Sequence, residues 1–316
     1  KSLASEFAGP SHMGNSSSHS KKSKSVDQVS AKGHATASRS SATNNLRDAV
    51  AVLPGAKPRN KTGSKVTAQK VKTAAATGIL SLAEHGLKQI PSDVIAIAKM
   101  TTLDLTSNAL RELPIGLTTL TKLKTLRLDG NKLESLIDLS SLPVLSDVSA
   151  ANNRLQAAAV MGLPQSLKKL DLSGNQLHEV PGAVTSLGNL TVLALMQCQL
   201  DLLPPLPGLT QLLELSLDGN KITVVEAYVA EMPKLKTLSL RHNKIGAQAF
   251  GRQSLAAALF TSSQVEVLNL EGNLLDKQAL LAMDGVNAFL ERRLKAKNKN
   301  IHGGAHFTDL SICGLD

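Results

Sequence analysis

Along the chain the apolar positions fall into one recurring phrase, L-x-x-L-x-L-x-x-N-x-L. Two full copies are MTTLDLTSNAL (Met100 to Leu110) and LKTLRLDGNKL (Leu123 to Leu133). The others open at Thr77, Leu145, Leu167, Leu190, Leu212, Leu235 and Val265, so successive starts lie 23, 23, 22, 22, 23, 22, 23 and 30 residues apart. The L-x-L pair alternates in and out, which is strand periodicity. It sends Leu103/Leu105, Leu126/Leu128, Leu170/Leu172, Leu193/Leu195, Leu215/Leu217, Leu238/Leu240 and Leu268/Leu270 into a core. Strands repeated this way stack in parallel and need a return segment behind the sheet, with a right-handed crossover. The prolines of Leu113-Pro114, Val180-Pro181 and Leu203-Pro204 stand where the chain leaves that core.

Self-similarity at this period is the signature of leucine-rich repeats. Each repeat contacts only its neighbours, so nine of them predict an α/β fold: a right-handed solenoid, or horseshoe, with a parallel concave sheet. An open stack exposes apolar ends, and both have candidate covers. Residues 64–78 predict an N-terminal capping helix, with Val66, Lys70, Thr73 and Ala74 on one face and Gly78 ending it. Residues 276–298 predict a C-terminal capping helix with Leu280, Met283, Val286, Phe289 and Leu290 inward. Between these caps run the repeats, residues 79–275. The longer eighth repeat, Gln248 to Ser262, predicts an amphipathic helix presenting Phe250, Leu255, Leu259 and Phe260.

The ninth position of the phrase carries Asn108, Asn131, Asn153, Asn175, Asn220, Asn243 and Asn273. An amide there can pair with backbone groups left open where each coil bends, and stacking turns the set into a ladder. His85 and Cys198 occupy the same slot in the first and sixth repeats, which makes Cys198 a buried ladder substitute instead of a nucleophile.

Charge sharpens the division of the chain. The net charge is +10, yet residues 1–75 hold 13 Lys/Arg against 3 Asp/Glu and residues 76–316 hold 22 of each. Residues 1–12 read like vector-derived leftover, and residues 13–63 form a basic Ser/Lys-rich leader too poor in large apolar residues to order itself. Residues 299–316 read as a loose tail. Within the leader, Met13-Gly14-Asn15-Ser16-Ser17-Ser18 fits the N-myristoylation pattern, with Gly14 as the acceptor. A single myristoyl chain binds membrane only marginally, but Lys21, Lys22 and Lys24 follow at once, and each adds about 1 kcal/mol on an anionic leaflet.

Two cysteines, no cysteine-clustered caps and no run of eighteen apolar residues point to a reducing compartment and a cytoplasmic, membrane-peripheral protein. His302, His306 and Cys313 match no standard zinc spacing. No phosphate-binding, nucleophile-elbow, dinucleotide or zincin motif occurs, so the chain predicts no catalytic residues, metal, cofactor or small-molecule substrate.

That leaves the outward positions of the concave sheet: Asp104, Arg127, Asp129, Lys169, Asp171, Met196, Glu214, Asp218, Arg241 and His242. Alternating charges around an apolar centre at Val192, Ala194 and Met196 read as a protein-binding face. The stretches TGILSLAEHGLKQIP (Thr77 to Pro91), QVEVLNLEGNLL (Gln264 to Leu275) and MDGVNAFLERRLKAK (Met283 to Lys297) resemble intracellular leucine-rich-repeat proteins, as does the Met13-Gly14 start. The long Ser/Lys segment and the residues after Asn300 depart from that pattern. The resemblance implies a non-catalytic, membrane-peripheral scaffold. Alternatives are a nucleic-acid-associated protein using the basic leader, and a regulatory subunit of a phosphatase or small GTPase. Aromatic residues make up only 2% of the chain, which weighs against base-stacking surfaces.

Overall fold

Each L-x-L pair forms a three-residue strand, and the strands add one after another. The computed structural model describes residues 61–249, 251–302 and 312–315. Nine strands make a single parallel sheet in chain order: β1 (Ile79–Ser81), β2 (Thr102–Asp104), β3 (Thr125–Arg127), β4 (Asp147–Ser149), β5 (Lys169–Asp171), β6 (Val192–Ala194), β7 (Glu214–Ser216), β8 (Thr237–Ser239) and β11 (Val267–Asn269). The register never slips, since Leu80, Leu103, Leu126, Val148, Leu170, Leu193, Leu215, Leu238 and Leu268 are successive partners. All are buried to 2% exposure or less, as is the following leucine of every pair named above. Burying one leucine contributes roughly 1.5–3 kcal/mol, so these columns are the main cohesive force.

Behind the sheet, short turns return the chain. Pro91 precedes α2 (Ser92–Ile95), and Pro114 and Pro181 precede 3-10 turns at Ile115–Thr119 and Gly182–Val184. The fixed φ of proline suits it to this corner, and the residue before it still faces the core: Leu113 and Val180 are buried. No helix follows Pro204.

The ladder forms as the ninth-position rule requires. Asn131 Nδ2 donates to the carbonyls of Leu105 and Leu128, both at 2.9 Å, while its Oδ1 accepts from the Leu110 amide at 3.1 Å. Asn153, Asn175, Asn243 and the others repeat this set one coil at a time. Each side chain thus ties its own bend to the preceding coil. In the sixth coil Cys198 Sγ donates to Leu172 O at 3.3 Å and Met196 O at 3.4 Å. In the first, the His85 ring meets only Ala83 O, at 2.6 Å.

The caps depart from expectation in detail. Helix α1 (Lys61–Thr77) does cover β1 and ends at Gly78, whose φ of +74° and approach to Lys99 O leave no room for a Cβ. Its buried face is different from the one expected. Ala74 is inward with Val71 half-buried beside it, whereas Val66, Lys70 and Thr73 are exposed. Gly78 pins the helix end, and the row facing the core runs back from it through Ala74 and Val71.

The eighth coil does not carry one long helix. Gln248–Ala249 (β9) and Arg252–Gln253 (β10) pair antiparallel, and only Ala257–Thr261 (α3) is helical. Backbone pairing decides this, because the Val225 amide donates to Ser254 O and the Ala256 amide to Val225 O. An ion pair from Arg252 to Glu226 holds the hairpin against the seventh coil. Leu255, Leu259 and Phe260 are buried as expected, and Phe250 lies outside the described residues.

The closing helix is broken into α4 (Lys277–Leu281) and α5 (Val286–His302), with Gly285 at φ +84° between them. Leu280, Met283, Val286 and Phe289 are inward and Leu290 half-buried. Phe289 meets Phe260 edge to face at 5.9 Å. Arg292 lies over the Phe289 ring and donates to the carbonyls of Val265, Phe260 and Leu259, closing the end of α3. The tail is not loose throughout. The Ile312–Leu315 turn docks on the last coil, where Cys313 O accepts from the Leu270 amide at 2.8 Å. Asn269 O serves the Leu240 amide in the same way one coil earlier, so the turn supplies the carbonyl a tenth strand would supply.

Two substitutions test the ladder. Asn131→Ala strands the buried Leu110 amide and takes one of two asparagine donors from the Leu105 and Leu128 carbonyls, so urea unfolding should show a loss of about 2 kcal/mol. Cys198→Asn supplies an acceptor for the buried Leu177 amide, which has no partner among the described residues, and should gain about 1 kcal/mol. A Cys198→Asn protein less stable than the parent would contradict the assignment.

Candidate functional site

With the leucines turned inward, every other strand residue faces outward on the sheet. Three columns result, and they place the expected residues unequally. Lys169 and Glu214 open their strands, whereas Asp104, Arg127 and Asp171 close theirs. Asp129, Met196, Asp218 and Arg241 follow two residues beyond those closing positions. His242 does not share the face. It takes φ +51° in the left-handed turn that precedes each ladder position, as Ser107 and Gln197 do, and packs where a Cβ on Gly272 would clash with its ring.

Five of the ten line one open concavity of about 730 Å³ spanning coils one to six: Asp104, Arg127, Asp129, Lys169 and Asp171. Val192 and Ala194 close one end of it, which gives the apolar break its place. Met196, Glu214, Asp218, Arg241 and His242 do not line it. Asp147 and Ser149 do, and the repeat reading missed them. The fourth coil writes Val148 and Ala150 where the phrase has leucines, so its outward positions were not flagged; the interval of 22 residues was the available signal. The lining carries four aspartates and two cations, a net charge of −2.

Hydrogen bonds sort these carboxylates. Asp129 Oδ1 accepts from Ser149 Oγ at 2.5 Å and from the Ala151 amide at 2.8 Å, and Asp218 Oδ1 accepts from the Arg241 amide at 2.8 Å. Both thus pin the next coil in place. Asp104 accepts from the Thr106 amide and the Ser81 hydroxyl. Burial alone would raise its pKa, but the bonds from Thr106 and Ser81, with Arg127 nearby, outweigh burial and hold the carboxyl below its ordinary value. Asp104 therefore stays charged to lower pH than a free aspartate. Arg241 pairs with Glu271 at 3.6 Å, away from the concavity.

No group of three or more His, Cys, Asp or Glu among the described residues could hold a metal ion. His306 lies outside the described residues, as do Gly14, Lys21, Lys22 and Lys24 and most of the leader. Among the described residues, no helix is long and apolar enough to cross a membrane.

The comparisons agree with this geometry. Residues 166–187 and 231–248 match two family descriptions, both reading leucine-rich repeat. Podocan-like protein 1 of Homo sapiens is 36% identical over 114 residues, which span 34% of this chain and 22% of that protein. Its Mus musculus counterpart is 35% identical over 117 residues, 34% of this chain and 21% of the counterpart. The chain therefore spans under a quarter of the length of these curated relatives. A solved leucine-rich-repeat protein of Leptospira interrogans is similar at 28% identity with a TM-score of 0.54, covering 67% of this chain and 58% of that one. The crystal structure of a TDR receptor shares the fold, with a TM-score of 0.52, 24% identity and coverage of 65% and 37%. The chain is a leucine-rich-repeat solenoid of the α/β horseshoe class. These relatives do not support a narrower resemblance of the terminal repeats to leucine-rich repeat-containing protein 57.

Cys198 supplies a test of the site's chemistry. Burial pushes its thiol up to about 11, so at about pH 8 only roughly one molecule in a thousand carries the thiolate. A thiol reagent followed by peptide mass spectrometry should modify Cys198 only after unfolding. Labelling in the native protein would make it a reactive cysteine after all.

Proposed function

We propose that the chain is a non-catalytic scaffold that recruits another protein on the inner face of its sheet. Leucine-rich-repeat domains generally mediate protein–protein interaction. What supports the reading here is the concavity across coils one to six, with charges of both signs beside the apolar end at Val192 and Ala194. Short strands fixed by ladder and register hold those side chains rigidly, so little ordering entropy opposes binding.

The same reading places the protein at the cytoplasmic face of a membrane, tethered through acylated Gly14 with Lys21, Lys22 and Lys24 against anionic lipid. The support is the sequence pattern itself: an acylation signal followed at once by a basic cluster. Binding of nucleic acid through the leader, or regulation of a phosphatase or small GTPase, are the competing functions.

Two experiments separate these. Affinity capture should compare the parent with Arg127→Glu/Lys169→Glu, whose side chains are exposed and form no direct salt bridge among the described residues. The specifically captured partner should fall about tenfold or more, a loss of about 1.4 kcal/mol. Undiminished capture would remove the inner face as the binding surface. For the tether, protein beginning at Gly14 should sediment with anionic vesicles when acylated and much less when non-acylated or lysine-neutralised. Equal sedimentation of all three forms would sink the membrane reading.

A further inference from the structure

A second concavity, of about 880 Å³, opens on the flank that follows the ladder in the first three coils. Lys88 and Gln89 line it from the first coil, Ala109, Arg111 and Glu112 from the second, and Lys132 from the third. Lys88 and Arg111 occupy the same place in successive coils, three residues past His85 and Asn108, and Lys132 follows Asn131 directly. Stacked coils lie about 4.8 Å apart, so three cations are held on neighbouring rungs. Their backbone is fixed, because the Ala109 amide donates to Leu87 O and the Lys132 amide to Leu110 O, both at 2.8 Å. Lys236, Arg241 and Arg252 each reach a carboxylate, whereas Lys88, Arg111 and Lys132 form no ion pair among the described residues. Glu112 is the one carboxylate lining the space, which leaves a net charge of +2.

We infer that this concavity binds a compact oligophosphate, an anion carrying two or more phosphate groups close together. A lone carboxylate would neutralise one cation and leave two facing each other. A terminal phosphate brings close to two negative charges and three acceptor oxygens and a bridging one a single charge and two, so linked phosphates meet all three cations and the Gln89 amide at once. The Arg111 guanidinium can grip one phosphate with two parallel hydrogen bonds, and the lysines act as point charges on the others. The +2 balance also ranks anions by charge, since a multiply charged one gains most from the three cations over what Glu112 opposes. The phosphate groups can come from a free oligophosphate or from a phosphorylated lipid headgroup.

Calorimetric titration of the full chain with sodium tripolyphosphate, in about 0.15 M salt to screen weak surface attraction, reads the affinity. The parent is compared with Lys88→Glu/Arg111→Glu, with the milder Lys132→Gln, and with Lys122→Glu, an exposed control at the end of the second coil. All retain the basic leader, so binding by the leader is common to every arm. The double variant should weaken binding about tenfold or more, Lys132→Gln by a smaller factor, and Lys122→Glu should match the parent. Sedimentation with vesicles containing phosphatidylinositol bisphosphate assigns the source: pelleting lost in the double variant marks a lipid headgroup, and unchanged pelleting marks the free anion. Absence of tripolyphosphate binding, equal affinity in the double variant, or an equal loss in Lys122→Glu overturns the assignment.

Discussion

Every coil in this molecule leaves backbone groups open at its bend, and the fold persists because the next coil closes them. The asparagine amide does this twice over, donating to its own coil and to the one before, while its oxygen accepts from that preceding coil. Removing such a group would leave a buried amide without its acceptor and two carbonyls with one donor fewer, a cost that burial of leucine would have to outweigh. The leucine columns supply cohesion and the ladder supplies register. Where the asparagine is replaced, by His85 and Cys198, one or two of these bonds weaken, but the register holds from both sides at β6 and from β2 at β1.

The same demand explains the ends. Helix α1 sits on β1, Arg292 donates to carbonyls at the close of the eighth coil's helix, and the Ile312–Leu315 turn gives Leu270 the carbonyl that a further strand would give. A stack with nothing at its last rung would expose both a sheet edge and a leucine layer.

This division decides what was legible beforehand. Leucine pairs and ladder asparagines recur at fixed spacing and have one geometric solution, so strands, register and the buried ladder place of Cys198 followed from pattern alone. The hairpin at Gln248–Gln253 did not, because a segment rich in helix formers was captured by pairing with Val225, a contact set by the neighbouring coil. The buried face of α1 was misjudged for the same kind of reason: its rotation is set by where Gly78 anchors it and not by its own composition. Asp147 was overlooked where Val148 and Ala150 replace leucines, and Asp129 and Asp218 proved to spend an oxygen on the next coil. The cations at Lys88, Arg111 and Lys132 lie 23 and 21 residues apart in the chain, and only stacking puts them on one concavity.

The proposed function accordingly rests on side chains that the repeat leaves free, arranged on surfaces that the repeat makes rigid. Carbodiimide footprinting of carboxylates, with and without a bound protein partner, tests that most directly. Protection at Asp147 and Asp171, with Glu231 and Asp284 equally modified in both states, is the predicted result. Unchanged modification at Asp147 and Asp171 with protection confined to Glu231 or Asp284 would contradict it.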